Sequence, residues 1–270
     1  MIKFFRKIRQ KILAEGQTGK YLKYAIGEIL LVVIGILIAL GINNWNQKQI
    51  EIKKERTALN NLILDLEEQS EILEEYIAGE NEFYKSGLYL SEHYARNKAF
   101  QINDTLLSKL NLLGARITFN PIKTTFSELV STGNIGLIRN EKLKRRIMRF
   151  FNELERISEI SSNNNTNLID GLYNPLLFES TVFIHKYEYK SNYVNRVFKN
   201  LGTAQSRIFK PESLKNLYAA SGDNMKTPEK ALKLFNLIQI RTQMARGQVT
   251  SYAKLQEEIE ELVNAIKLEL

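Results

Sequence analysis

The sequence predicts an all-α protein: an N-terminal transmembrane helix continuing into a long helical stalk and an extracytoplasmic helical bundle. Three observations carry this reading. Residues 25–42, AIGEILLVVIGILIALGI, contain a single polar residue, Glu28. Beyond them, apolar residues recur at helical spacing over long stretches. Strand signals are scarce, with eight valines in 270 residues and period-2 alternation confined to short pieces such as 181–187. The expected organisation is a basic cytoplasmic segment at 1–24, the transmembrane helix at 25–43, a stalk at 44–100 and a bundle at 101–270.

The first segment carries most of the charge. Of the net +8, residues 1–24 supply +6, from seven basic groups against Glu15. Residues 29–270 hold 31 basic and 28 acidic groups, a net +3. A nucleic-acid binder needs its basic face on the folded part, so that class drops out. Within MIKFFRKIRQKIL, Lys3, Arg6, Lys7 and Lys11 take one side of a helix, with Arg9 intruding among the apolar residues opposite. Two readings stand side by side: a helix lying on anionic lipid, and a solvated basic topology signal. The absence of cysteine excludes disulfides, thiolate metal sites and a cysteine nucleophile.

The second segment has the length and composition of a span. At about 1.5 Å per residue, residues 25–42 cover roughly 27 Å, close to a hydrocarbon core of about 30 Å. Tyr21 and Tyr24 before it and Trp45 after it fit an aromatic belt. Twelve of the 18 residues are Leu, Ile or Val. Together they favour insertion by about 4–7 kcal/mol, against about 3 kcal/mol for one charge at mid-membrane. Seven basic residues precede the span, and four (Lys48, Lys53, Lys54, Arg56) lie in the first 15 residues after it. The positive-inside rule therefore puts the N-terminus in the cytoplasm and residues 46–270 outside it. A signal peptide cleaved after Gly41 is the alternative, less consistent with the long basic lead.

Helical patterning dominates the remainder. A seven-residue line of coiled-coil type runs through Trp45, Ile52, Leu59, Leu66 and Leu73, with Leu62, Tyr76 and Phe83 on a companion line broken at Gln69. Tyr252, Leu255, Ile259, Leu262 and Ile266 form a second seam, a partner for the first within one chain or between chains. Pro121 after Asn120 and Pro228 after Thr227 read as helix starts, and Asn140 as a cap. After it, Leu143, Ile147, Phe150, Phe151, Leu154 and Ile157 make one apolar stripe. Gly133 and Gly136 close the preceding segment, and SSNNNTN at 161–167 reads as a polar loop.

MIKFFRKIRQKIL, KYLKYAIGEILLVVIGILIALGINNWN and TFSELVSTGNIGLIRNEKLKRRIMRFFNEL together resemble an uncharacterised family of bacterial membrane proteins, a domain of unknown function. The resemblance is strongest over 1–46 and weaker over 125–154. It implies a single-pass inner-membrane protein of an envelope with a periplasm, and no activity.

Chemistry-bearing motifs are few. His93 and His185 have no metal-ligand spacing around them, and no phosphate loop, nucleophile elbow or triad is apparent. No cofactor, metal or enzymatic activity is expected. The acid pairs Glu67-Glu68, Glu74-Glu75 and Glu257-Glu258 read as solvated faces. Glu28 is the sharpest candidate, because Gly35 and Ala39 fall on its helical face and small residues four apart admit a second helix. Its readings are a glutamate snorkelling to headgroups, a contact to a partner helix, and a proton carrier.

The expected function is a membrane-anchored periplasmic interaction or scaffold protein, self-associating or joined to another membrane protein. The partners are the lipid bilayer and a second copy or a membrane protein, with no nucleic acid. A ligand sensor and a subunit of a proton-driven energiser using Glu28 are the alternatives. A pocket lined by several charged groups in the 100–250 region would favour the sensor or an enzyme.

Overall fold

The computed structural model describes residues 18–184 and 214–270, and among them every regular element is a helix. The chain divides into two units, residues 1–57 and 58–270. Helix α1, Thr18–Asn97, carries this boundary within it. The expected all-α class is therefore the observed one.

In the first unit, residues 25–42 of α1 are apolar apart from Glu28 and are largely exposed. Ile29, Leu31, Leu37 and Ile42 each keep 60% or more of their surface. A helix that is apolar around its whole circumference and packs against nothing is suited to lipid, by length and composition.

The second unit has a continuous core. Its first wall is α1 from Ala58, where Leu59, Leu62, Leu66, Leu73, Tyr76 and Phe83 are buried. The earlier members of the line fall in the first unit, and there Trp45 is exposed. The second wall is the last helix, α7, Pro228–Lys267, which buries Tyr252, Leu255, Ile259, Leu262 and Ile266. The two seams are partners within one chain. They run antiparallel: the rings of Tyr76 and Tyr252 lie 5.9 Å apart, and further along α1 Gln239 donates to Ser91 at 2.6 Å.

Five shorter helices, a 3₁₀ turn and a π-helical stretch make up the other described elements. Helix α2, Asp104–Leu113, starts where the Asn103 side chain accepts the Leu106 N–H at 2.9 Å. Helix α3 is Thr124–Ser131, followed by Gly133 in the left-handed region at φ 72 and a 3₁₀ turn, Asn134–Leu137. Helix α4, Glu141–Asn164, begins as expected at Asn140, whose Oδ1 accepts the Lys142 and Leu143 N–H groups. All six residues of its apolar stripe are buried. Helices α5, Asn174–Ser180, and α6, Lys215–Met225, precede α7, which starts at Pro228 after Thr227.

Two sequence expectations are corrected. Pro121 does not open a helix; α3 starts at Thr124. Its entry is held instead from α1, where Asp65 accepts the Thr125 N–H at 2.8 Å and Gln69 accepts the Ile122 N–H at 2.7 Å. The break in the α1 line at Gln69 is thus a bond to the backbone of the entering chain. Nor is 161–167 a loop: α4 runs through Asn164 and passes directly into a π-helix, Asn165–Tyr173. Two of the polar residues in 161–167, Ser161 and Asn165, face the interior, while Ser162, Asn163, Thr166 and Asn167 are exposed. Asn165, 7% exposed, donates to the Ile117 carbonyl at 2.9 Å, and Ser161 is buried against α7.

Candidate functional site

The residues singled out around the span lie along α1. Gly35 and Ala39 are exposed, Glu28 is half-buried and Trp45 is exposed. A methyl group built on Gly35 would meet no atom within 4 Å, so the small-residue face has room for a neighbouring helix. Lys3, Arg6, Lys7, Lys11 and His185 lie outside the described residues, as do the side chains of Tyr21 and Tyr24. His93 has a local structural task. Its Nε2 accepts the Gln101 N–H at 3.1 Å, which ties the segment after α1 back to the helix. Partial burial, and secondarily Arg96, hold its pKa below the ordinary histidine value.

The second unit contains a polar layer that the sequence reading did not identify. Glu80 of α1 and Arg241 of α7 are each 1% exposed, and Arg241 Nη1 donates to Glu80 Oε2 at 3.2 Å. Arg241 Nε also donates to the Leu113 carbonyl at 3.3 Å, and its guanidinium carbon lies 4.3 Å from the centre of the Phe83 ring. With its amide nitrogen toward Glu80, Gln248 donates to both carboxylate oxygens at 3.0 Å and accepts from Ser161 Oγ at 3.3 Å. Tyr173, at the end of the π-helix, feels Arg241 and donates to the Leu110 carbonyl at 3.0 Å.

The electrostatics of this layer follow from its depth. Burial raises the Glu80 carboxyl above its ordinary value, opposed by the charge and hydrogen bond of Arg241. Burial likewise pushes the Tyr173 phenol well above the usual tyrosine range. The π-helix serves the same layer. Its wider i→i+5 turns let Asn165, Ile169 and Tyr173, spaced by four, all face inward.

The signal for this layer is present in the sequence. The line Leu59, Leu66, Leu73 continues in sevens to Glu80 and Gly87. The α7 seam, followed backwards from Tyr252 in steps of four and three, meets Gln248, Ala245, Arg241 and Ile238. Both seams thus carry opposite charges at core positions. Each charge taken alone looks like the end of a seam.

Two charged grooves flank α7. Between α4 and α7 lies a groove of about 780 Å³, with Arg145, Arg146, Arg149, Arg156 and Lys254 against Glu153, Glu258 and Glu261. Three of its cations are paired: Arg146 with Glu261 at 2.5 Å, Arg156 with Glu153 at 2.6 Å, and Lys254 with Glu258 at 3.9 Å. Arg145 and Arg149 are exposed and make no ion pair among the described residues. Between α1 and α7 lies a groove of about 450 Å³ lined by Glu67, Glu71, Glu74 and Glu260. There Glu67 is paired with Lys267 at 3.3 Å.

Neither a curated protein nor a solved structure matches the chain. Residues 28–203 match the model of a family of unknown function, DUF6090, a stretch that takes in Glu28, the small-residue face, the first wall of the core and the π-helix. The chain belongs to this family.

Proposed function

We propose that this protein is a membrane-anchored helical scaffold that self-associates in a bacterial inner membrane. Residues 25–42 span the bilayer, the N-terminus is cytoplasmic, and residues 46–270 are periplasmic. The observation that carries the reading is the stretch 25–42 of the first-unit helix, apolar apart from Glu28 and largely exposed, with the family match beginning inside it. The basic residues before the span support the orientation. Gly35 and Ala39, exposed on the helical face of Glu28, support a second copy as the neighbour in the membrane.

The chemistry of the second unit supports a scaffold over a catalyst. Two of its perturbed groups, Glu80 and Tyr173, are engaged in contacts between elements: Glu80 bonds α1 to α7, and Tyr173 bonds the π-helix to the α2 backbone. A ligand-sensing role is the second reading, favoured by the α4/α7 groove, a charged cleft whose α4 side lies in the region where such a site was expected.

The test uses the full chain in lipid vesicles. With no native cysteine, a single Ala39→Cys reports on one position. Oxidation is expected to give a disulfide-linked dimer, and cysteines on the opposite face, at Leu37, to link much less. Absence of linkage at both positions contradicts self-association through the span.

A further inference from the structure

The two grooves flanking α7 have opposite charge, and we infer that the acidic ridge of α1 in one copy docks into the cationic α4/α7 groove of another. This rests on the self-association reading above and adds the surfaces that meet outside the span.

Four features of the fold support that occupant. First, the groove has an excess of cations after its internal pairs are made, concentrated at Arg145 and Arg149, one helical turn apart. Second, α4 is built against its own stability there. Lys142, Lys144, Arg145 and Arg146 crowd the first turns, where the helix dipole favours acids, and only Glu141 opposes them. Glu141 is already hydrogen-bonded to Lys144. An anionic partner would relieve both the excess and the dipole conflict.

Third, the same chain supplies the matching surface. Glu67, Glu71 and Glu74 project from one stripe of α1 at steps of four and three, all exposed, with Glu68 beside them. These steps equal the pitch of Arg145 and Arg149. Fourth, the lengths agree: Arg145 to Arg156 covers about 16 Å and Leu64 to Glu74 about 15 Å along their helices. Each surface also exposes one large apolar residue, Met148 at 40% and Leu64 at 64%, and the groove has Phe150 and Leu262 in its lining. A charged ridge in a helical groove with apolar contacts is a general mode of helix recognition.

The test again uses full-length chains in vesicles. One population carries Met148→Cys, at the centre of the groove rim, and the other Glu68→Cys, at the centre of the ridge. Treatment with a long bismaleimide is expected to give a mixed dimer linked between copies. Arg145→Glu/Arg149→Glu in the Met148→Cys chain is expected to reduce linkage about a hundred-fold, by replacing two attractions with repulsions. Glu71→Arg/Glu74→Arg in the other chain is expected to restore it. Raising salt from 0.05 to about 0.5 M should weaken the wild-type contact.

The inference is overturned if Met148 and Glu68 do not link while Ala39→Cys still does; self-association then stands without these surfaces. It is equally overturned if linkage persists unchanged after the charge reversal, or if the reciprocal reversal restores nothing. Loss of linkage at Ala39 as well would sink the self-association reading itself.

Discussion

At the residue scale, the Glu80–Arg241 contact is the feature on which the second unit most depends. Two opposite charges, each almost fully buried, are affordable only while both are present and hydrogen-bonded. Arg241→Ala leaves Glu80 buried beside Gln248 alone and is expected to destabilise the fold by about 3–5 kcal/mol in chemical denaturation. Its pH dependence gives a further check. A carboxyl whose folded pKa is raised above the unfolded value contributes most below that unfolded value, and its contribution is lost as pH rises through the folded pKa. The Arg241→Ala variant should therefore regain stability relative to wild type on acidification. The double variant Glu80→Leu/Arg241→Met is expected to be more stable than either single change, since it removes the buried charge with its partner.

His93 behaves oppositely. Its pKa is lowered in the fold, so the folded state binds fewer protons than the unfolded state over that window. Stability is fully present above about pH 6.5 and falls as pH drops through the lowered pKa. A melting-temperature profile between pH 7 and 5 should show this slope, and His93→Gln should flatten it. These residues also mark where the sequence was opaque. Glu80 and Arg241 sit at seam positions, but one charge on a seam is a break; only both helices, aligned, make it a contact.

At the scale of elements, the long helices and their apolar faces were legible, because a 3.6-residue period over many turns admits one interpretation. The stripe from Leu143 to Ile157 and the seam from Tyr252 to Ile266 are buried where the spacing puts them. The π-helix was not legible. SSNNNTN has the composition of a loop, and only the carbonyl of Ile117 and the amide of Gln248, distant in sequence, give Asn165 and Ser161 interior partners. The start of α3 escaped for the same reason, since Asp65 and Gln69 supply its bonds from another helix.

The close approach of α1 and α7 is an element-scale property with its own test. A Cβ at Gly87 would stand 1.9 Å from Thr242 Oγ1, so the helices approach closely only because that position has no side chain. Gly87→Ala is expected to cost about 1–3 kcal/mol through forced displacement. Adding Thr242→Ala should recover part of that loss, and purely additive effects would show that the two positions do not touch.

At the scale of the whole molecule, the two units have different physical requirements. The second satisfies its own apolar surface with a core from Leu59 to Ile266. The first leaves the apolar residues of 25–42 uncovered and offers a small-residue face beside Glu28. The long apolar helix was legible because eighteen residues with one polar member leave little choice. The surfaces for a second copy were not, since Arg145 and Glu71 become complementary only once α7 separates two grooves. The most direct measurement of self-association is single-molecule photobleaching of singly labelled full-length chains in vesicles at low protein density. Most occupied vesicles are expected to bleach in two or more steps, and Gly35→Leu/Ala39→Leu with Arg145→Glu/Arg149→Glu to shift them to one. Single-step bleaching of the wild-type chain would contradict it.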